Sequence, residues 1–489
     1  MKAAVALLLL SCAAPAQIRV VALPSQSPLV DFRIVFLTGA AYDPADKPGL
    51  ANLTTSLLAQ GGTRDLSYKQ VVDAMFPMAT SVNSQVDKEM IVFHGSTDVQ
   101  NLEKYYGLFR AVLLQPGWRE DDLRRVKDQT VNFLRVSLRG ANEEELAKEA
   151  LYATIFAGRP YGHTNSGAVS ALERMAMGDL RRFYESQFTQ TNLIIGIGGG
   201  YPAGFPDRVK KDFEALPKGA PASRPMAEPK PAGSPRALLI EKETRSVAIS
   251  IGTTLDVKRG DPDYPALLVA QSYFGQHRSS GGRLFDRMRE LRGLNYGDYA
   301  YIEYFPRGMF RFDPEPNLAR RQQIFQIWIR PVPPPAAHFA LRLALFELDK
   351  LIREGLAPEA FERSRSFVAK NVNLLIKTKQ AELGYAIDSL YYGIPDYNSY
   401  VRGALAKLTL KDVNNAIKRR LRSTDLRIVA VAQNCDELKK KLAANALSPM
   451  TYNSPKPEDV MEEDKLVERF RIALNPESIQ IVPVASVFE

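Results

Sequence analysis

Four histidines and two cysteines are all that 489 residues provide for soft metal ligation. The histidines, His94, His163, His277 and His338, lie far apart, and no two stand at helical spacing. Catalytic zinc takes about three nitrogen, sulfur or carboxylate ligands and keeps one position open for water, so a local histidine or cysteine zinc motif is excluded. Each histidine reads instead as structural or solvated. Of the cysteines, Cys12 falls in an N-terminal leader and Cys435 stands alone behind it, so cleavage after the leader leaves no pair for an intramolecular disulfide. Stability then rests on core packing. Behind the leader no stretch approaches the roughly 20 apolar residues of a membrane-spanning helix. A basic stripe interleaved with aromatics is also missing. The net charge of +9 is spread along the chain, which argues against nucleic-acid binding and leaves a mild preference for acidic peptides or an acidic partner.

What is present begins with that leader. Met1-Lys2, the apolar run Ala3 to Leu10 and the small-residue site Ala14-Pro15-Ala16 read as a secretory signal peptide over residues 1–16. Export, to a periplasm or beyond, is the expectation. A second reading takes Leu9-Leu-Ser-Cys12 as a lipoprotein signal with a lipid anchor on Cys12; the leucine before the serine fits that pattern poorly, and simple cleavage near Ala16 is favoured. The rest is 45% apolar and 24% charged over the whole chain, the composition of a globular protein. Its length exceeds a single hydrophobic core.

An internal repeat organises that length. Asp31 to Ala41 alternates like a strand, Tyr42 to Pro48 makes a turn, and Gly49 to Gln60 reads as a helix. Ser246 to Leu255, Lys258 to Asp263 and Tyr264 to Phe274 repeat the plan. The two ends correspond as well. A helix opening near Asp179 leads to the strand at Leu193, another near Asp412 leads to the strand at Leu426, and both spacings are fourteen residues. Aspartate suits the start of a helix, where backbone N–H groups lack partners. Residues 216–235, rich in proline, alanine and glycine, read as a linker. The expected layout is 18–215, linker, 236–435, and an extension over 436–489. In that extension Asn445 to Asp464 is expected to wrap as an extended tail, and Ile479 to Val487 to form a strand.

The helix of the first half carries the first chemical signal. Gly49-Leu-Ala-Asn-Leu-Thr-Thr-Ser-Leu-Leu-Ala-Gln-Gly-Gly-Thr63 resembles the run G-L-A-H-x-x-E-H-x-L-x-x-G-T of the insulinase and mitochondrial-processing-peptidase family, peptidase family M16. Where that family carries its inverted zinc motif HxxEH, this chain has Asn52, Thr55 and Ser56. An amide and two hydroxyls supply neither zinc ligands nor a carboxylate to activate water. The resemblance places a third ligand, a glutamate, before Gly140, yet Lys127 to Leu138 contains only Asp128 as an acid. It implies an α+β fold of two duplicated M16-like domains (LuxS/MPP-like metallohydrolase domains), each a sheet with helices packed on one face, closing as a clamshell.

The second half supplies a signal that is intact. Arg283-Leu-Phe-Asp-Arg-Met-Arg289-Glu-Leu-Arg-Gly293-Leu294-Asn-Tyr296 is similar to the family's signature R-x-x-x-G-L-x-Y. The resemblance implies that Arg289 and Tyr296 reach substrate at a zinc site in another domain. The residue types suit that role. A tyrosine hydroxyl stays protonated near neutral pH and can donate to the oxyanion formed on an attacked carbonyl, while arginine offers several fixed donors. Read without the resemblance, Arg289 would sit on a charged helix face and Tyr296 would open a core strand.

Together these implications describe an exported, non-catalytic subunit that binds no cofactor itself. It would pair, as a heterodimer or higher assembly, with an HxxEH-bearing M16-like subunit that holds zinc, and the assembly would cleave peptides. Two alternatives stand beside it: a self-sufficient metallopeptidase with its site elsewhere, and a structural or peptide-binding scaffold. Two further features carry no chemistry. Gly196-Ile-Gly-Gly-Gly200 lacks the spacing and lysine of a phosphate loop and reads as a turn after a strand. Glu143-Glu-Glu145 and Glu149 read as a solvated acidic helix start.

Overall fold

The computed structural model describes residues 18–220, 233–308 and 310–489. The leader with Cys12, and most of the 216–235 linker, lie outside the described residues. The first sheet is built from β1 (Arg19–Pro24), β2 (Leu29–Phe36), β3 (Asn83–Val86), β4 (Ile91–Asp98) and β5 (Leu193–Gly199). Its order is β1-β5-β2-β4-β3, with β1 parallel to β5 and the other pairs antiparallel. The second sheet uses β6 (Arg236–Glu241), β7 (Val247–Leu255), β8 (Asp298–Tyr301), β9 (Gln323–Val332), β10 (Arg427–Ala432) and β11 (Ile479–Pro483). Its order is β11-β6-β10-β7-β9-β8, and β6 is again the parallel neighbour of β10. Remove β11 and the two sheets have one topology, strand for strand. The repeat seen in the sequence is thus a repeated fold.

Strand alternation decides what each sheet buries. In β2, Val30, Phe32, Ile34 and Phe36 face one core, where α1 (Leu50–Gln60), α2 (Leu102–Leu114), α3 (Glu120–Asn132) and α5 (Met177–Gln187) pack. In β7 and β9, Ile249, Ile251, Phe325 and Ile327 face the second core, under α6 (Tyr264–Gly275), α7 (Ala337–Glu354), α8 (Pro358–Leu375) and α10 (Leu410–Arg420). Matching caps start α5 and α10. Asp179 accepts the Ala176 N–H at 3.0 Å, and Asp412 accepts the Thr409 N–H at 3.0 Å.

The second face of each sheet is covered by a helix from the other half. α4 (Glu143–Ile155) lies on β7 and β10, with Ala147, Ala150 and Leu151 in one cluster with Ile240, Ala248, Val429 and Val431. Reciprocally, α9 (Lys379–Tyr392) lies on β1, β2 and β5, with Leu383 and Ile387 against Val35, Val92 and Ile194. The expectation of helices on one face is met within each half; the clamshell closes by exchanging α4 and α9. A fully buried leucine or isoleucine contributes about 1.5–3 kcal/mol, so this exchange is a substantial share of the join between the halves.

Polar groups complete the join. Asp87, at the β3–β4 turn, takes two hydrogen bonds from the buried Arg320 guanidinium, which lies 3.6 Å from the Tyr304 ring centroid. Glu89 accepts from Tyr161, from Tyr391 at 2.7 Å and from Arg321 at 2.8 Å. Burial pulls the Lys88 ammonium between them down to about 8, helped by the positive charge of Arg320.

Three expectations are corrected here. Gly196 to Gly199 is not a turn but the buried C-terminal part of β5, and only Gly200 of that run lies past the strand. A side chain at Gly196 would place its Cβ 2.8 Å from the Ile387 side chain, so glycine there admits α9. The acidic start of α4 is not solvated either. Glu144 and Glu145 are buried, where Glu144 meets Arg330 and Glu145 meets Lys148 at 2.8 Å, because α4 lies between the halves. Finally, the tail after Asn445 is not extended throughout: α11 (Glu458–Val467) forms where Glu463 and Asp464 pair with arginines of the second half, and the strand beyond it stops at Pro483.

Candidate functional site

α1 starts at Gly49, whose φ of 99° is open to glycine. Asp43 in the preceding turn accepts the N–H groups of Gly49 and Ala51, both at 2.7 Å, and meets His163 Nε2 at 3.2 Å. Leu50, Leu53 and Leu57 point into the first core. On the other face Asn52 and Ser56 are half-buried, and Thr55 is completely enclosed, its hydroxyl without a hydrogen-bond partner. Gly61 and Gly62 end the helix, Gly62 with φ of 67°. Asn52, Thr55 and Ser56 therefore stand side by side, but their donor set does not fit zinc. Asp128, the acid considered for a third ligand, lies on the exposed face of α3. Among the described residues no group of three or more histidine, cysteine, aspartate or glutamate side chains could hold a metal ion.

The four histidines are dispersed. His94 faces Arg33 across β2 and β4, and burial pulls its pKa down to about 4, with Arg33 adding to the effect. His163 serves Asp43. His277 bridges the Tyr301 hydroxyl at 2.7 Å and the Arg311 carbonyl at 2.8 Å. His338 is buried on α7.

In the second half, a helical turn at Arg283–Phe285 runs into a π-helical turn at Asp286–Glu290. The chain then reverses at Gly293, with φ of 66°, and Leu294 packs inward. Three arginines of this stretch hold it in place. Arg283 binds Glu347 at 2.8 Å, Arg287 binds Glu347 and Glu463, and Arg292 binds Glu463 and Asp464 at 2.8 Å. Arg289 differs: it faces solvent over the Phe285 ring at 4.7 Å, donates to the Tyr296 carbonyl at 3.3 Å, and meets Glu290 only at 4.0 Å. Tyr296 is 76% exposed, so it does not open a core strand.

Reading the sequence missed what fixes this loop. The Asn295 side chain donates to Asp298 at 2.7 Å and to the Arg330 carbonyl at 3.0 Å, and accepts the Gly297 N–H at 3.1 Å. Burial raises the Asp298 carboxyl well above the ordinary aspartate range. The signal was legible in Asn295-Tyr-Gly297-Asp298, a turn-forming run directly after the motif. Among the described residues no hydrogen bond, ion pair or ring contact joins Arg289 or Tyr296 to α1. The two features lie in different halves, and the chemistry available is donation from Arg289 and Tyr296 to a carbonyl or oxyanion arriving at the surface.

Comparison with known proteins agrees with this architecture. Residues 19–168 match the insulinase family, peptidase family M16, and residues 175–367 match the peptidase M16 inactive domain. A Helicobacter pylori protein named non-peptidase homolog YmxG is 20% identical over 412 residues, covering 83% of this chain and 89% of the relative. A Mycobacterium tuberculosis protein named uncharacterized zinc protease Rv2782c is 24% identical over 273 residues, covering 55% of this chain and 60% of the relative. Among solved structures, a peptidase M16 inactive domain from Pseudomonas fluorescens superposes with a TM-score of 0.73 at 21% identity, covering 86% of this chain and 96% of that one. The periplasmic protease PqqL from Escherichia coli superposes with a TM-score of 0.68 at 15% identity, covering 94% of this chain and 50% of that one.

Proposed function

The chain belongs to the insulinase family of peptidases, M16, and from that membership we propose that it is a non-catalytic subunit which completes the site of an HxxEH-bearing, zinc-holding partner. The observation that carries this reading is the contrast between α1 and the Arg289 loop. The helix position where the family holds zinc offers Asn52, Thr55 and Ser56, with the Thr55 hydroxyl sealed from water. Arg289 and Tyr296, by comparison, are held at the surface by a loop whose other arginines are committed to ion pairs. In the assembly Tyr296 would donate to the oxyanion and Arg289 would hold a substrate carbonyl, while the partner supplies the metal and the general base. The substrate would be peptide, and the leader sequence favours an exported assembly. The name of the Helicobacter pylori relative, a non-peptidase homolog, supports the non-catalytic part of this reading.

The test is to purify the mature chain with and without a co-expressed HxxEH-bearing homologue, measure bound zinc by mass spectrometry, and follow cleavage of a quenched peptide. The chain alone is expected to be zinc-free and inactive, and to raise the homologue's activity. Changing Arg289 and Tyr296 together to alanine is expected to lower that activity about a hundredfold with assembly intact, the scale of losing one oxyanion donor. Stoichiometric zinc with chelator-sensitive cleavage by the chain alone would overturn the proposal.

A second reading, a scaffold with no part in catalysis, draws on one contact: a donor of Arg289 is already engaged by the Tyr296 carbonyl. Under that reading the double alanine variant leaves the activity of the assembly unchanged.

A further inference from the structure

The second half holds an open cavity of about 370 Å³ between α6, α8 and residues 301–305 and 312–318. It has no part in the Arg289 loop. Its inner end is a closed set of charges. Arg259 donates to both Glu303 oxygens, at 2.9 and 3.1 Å, and to Asp388 at 3.3 Å. Arg33 reaches Asp388 through the Asn317 side chain, which donates to Asp388 at 3.0 Å. Two guanidinium groups thus face two carboxylates. Nearer the opening, Asp313 is paired with Lys377 at 2.9 Å and Glu315 with Arg307 at 2.8 Å. A cationic ligand would find these acids already neutralised, and the one further cation in the lining among the described residues, Arg278, stands over the Phe312 ring at 4.5 Å.

The walls have a different character. Leu268, Val368 and Val372 line the cavity with hydrocarbon, and Phe312 and Phe367 stand at its opening, Phe312 72% exposed. Between them sit two side-chain amides, Gln271 and Asn371, half-buried and without a hydrogen-bond partner among the described residues. The wall that carries Phe312 is pinned by His277. With a carbonyl as acceptor, Nε2 must carry the proton, so Nδ1 accepts from Tyr301. Burial holds His277 neutral by pulling its pKa down to about 4. The cavity is therefore preformed, mixes hydrocarbon with polar side chains in its walls, and falls inside the roughly 300–1,000 Å³ range of small-molecule sites.

We infer that this cavity binds an uncharged, ring-bearing small molecule with both apolar and polar parts, whose hydrogen-bonding groups are recognised by Gln271 and Asn371. Phe312 and Phe367 close over its apolar body, and binding removes their exposed faces from water. The inference is independent of the paired-subunit reading.

The test uses the mature chain and two fluorescent probes of related ring structure: neutral phenylnaphthylamine and its anionic relative, anilinonaphthalene sulfonate. Saturable binding of one phenylnaphthylamine per chain is expected, with the sulfonate at least about tenfold weaker. Asn371→Trp, which pushes an indole into the cavity from a half-buried position, is expected to weaken the neutral probe about tenfold or more. Phe312→Ala, at an exposed position that does not endanger folding, is expected to weaken it severalfold, whereas Tyr296→Ala leaves it unchanged. Absence of saturable binding to the native chain, or equal affinity in both the Asn371→Trp and Phe312→Ala variants, would overturn the site. Equal affinity for the sulfonate would overturn the ligand class. Loss on Tyr296→Ala would move the binding to the other loop.

Discussion

The helix Leu50–Gln60 and the loop Arg289–Tyr296 occupy the chemically decisive stretches of two halves built on one topology, yet their environments are opposite. In the helix, Thr55 is enclosed and its hydroxyl is unmatched; in the loop, Tyr296 is 76% exposed and Arg289 looks to solvent. A position without metal ligands is absorbed into packing, and its unmatched hydroxyl carries a small energetic cost. A position with chemistry to offer is kept outside the core, with neighbouring side chains committed to holding it there. Under the proposed function, packing and recognition fall to different halves.

That contrast presumes that the halves behave as one folded unit, and the largest expected effect tests this. Arg320→Ala removes one partner of the buried pair with Asp87 and should cost about 3–5 kcal/mol, read as a lowered denaturant midpoint. Both halves should lose stability together; separate transitions would break the comparison. Acid supplies a second probe. Burial pulls His338 down to about 4, with Arg342 and Lys441 adding to the effect. As pH falls below about 6.5, the unfolded chain takes up a proton that the folded chain refuses until about 4, so stability declines through that window. His338→Leu should flatten the decline by on the order of 2–3 kcal/mol; an unchanged pH profile would show that another group carries it. Thr55→Val should make the chain about 1 kcal/mol more stable by removing an unmatched buried hydroxyl, and a loss of stability would mean that the hydroxyl has a partner after all. Smallest of all, Tyr296→Ala should move the melting transition by no more than the roughly 0.5 kcal/mol typical of surface changes, whatever it does to activity.

Much of this organisation is legible in the sequence. Period-two runs at Asp31 and Ser246, turns rich in proline and aspartate, and equal spacings from Asp179 and Asp412 are local signals, and local signals survive in sequence. The motif around Gly293 is legible for the same reason, because a left-handed turn calls for glycine. Misreadings arise where distant chain decides the outcome. Gly196 to Gly199 resembles a turn until Ile387 arrives to pack on it, and Glu144 and Glu145 look solvated until Arg330 and Lys148 close over them. The cavity bounded by Leu268, Val372 and Phe312 leaves no trace of its own, since its walls come from segments whose periodicity only says helix or coil.

The exchange of α4 and α9 also sets a timetable. One of the acceptors of Arg33 is the carbonyl of Gln380 at the start of α9, 347 residues further along the chain. At a synthesis rate of about 5–20 residues per second, the face of β2 that carries Val35 waits roughly 20–70 s for its cover. During that interval the newborn first half is a sheet with one bare hydrophobic side. The first half therefore completes its fold only once the second half has been made.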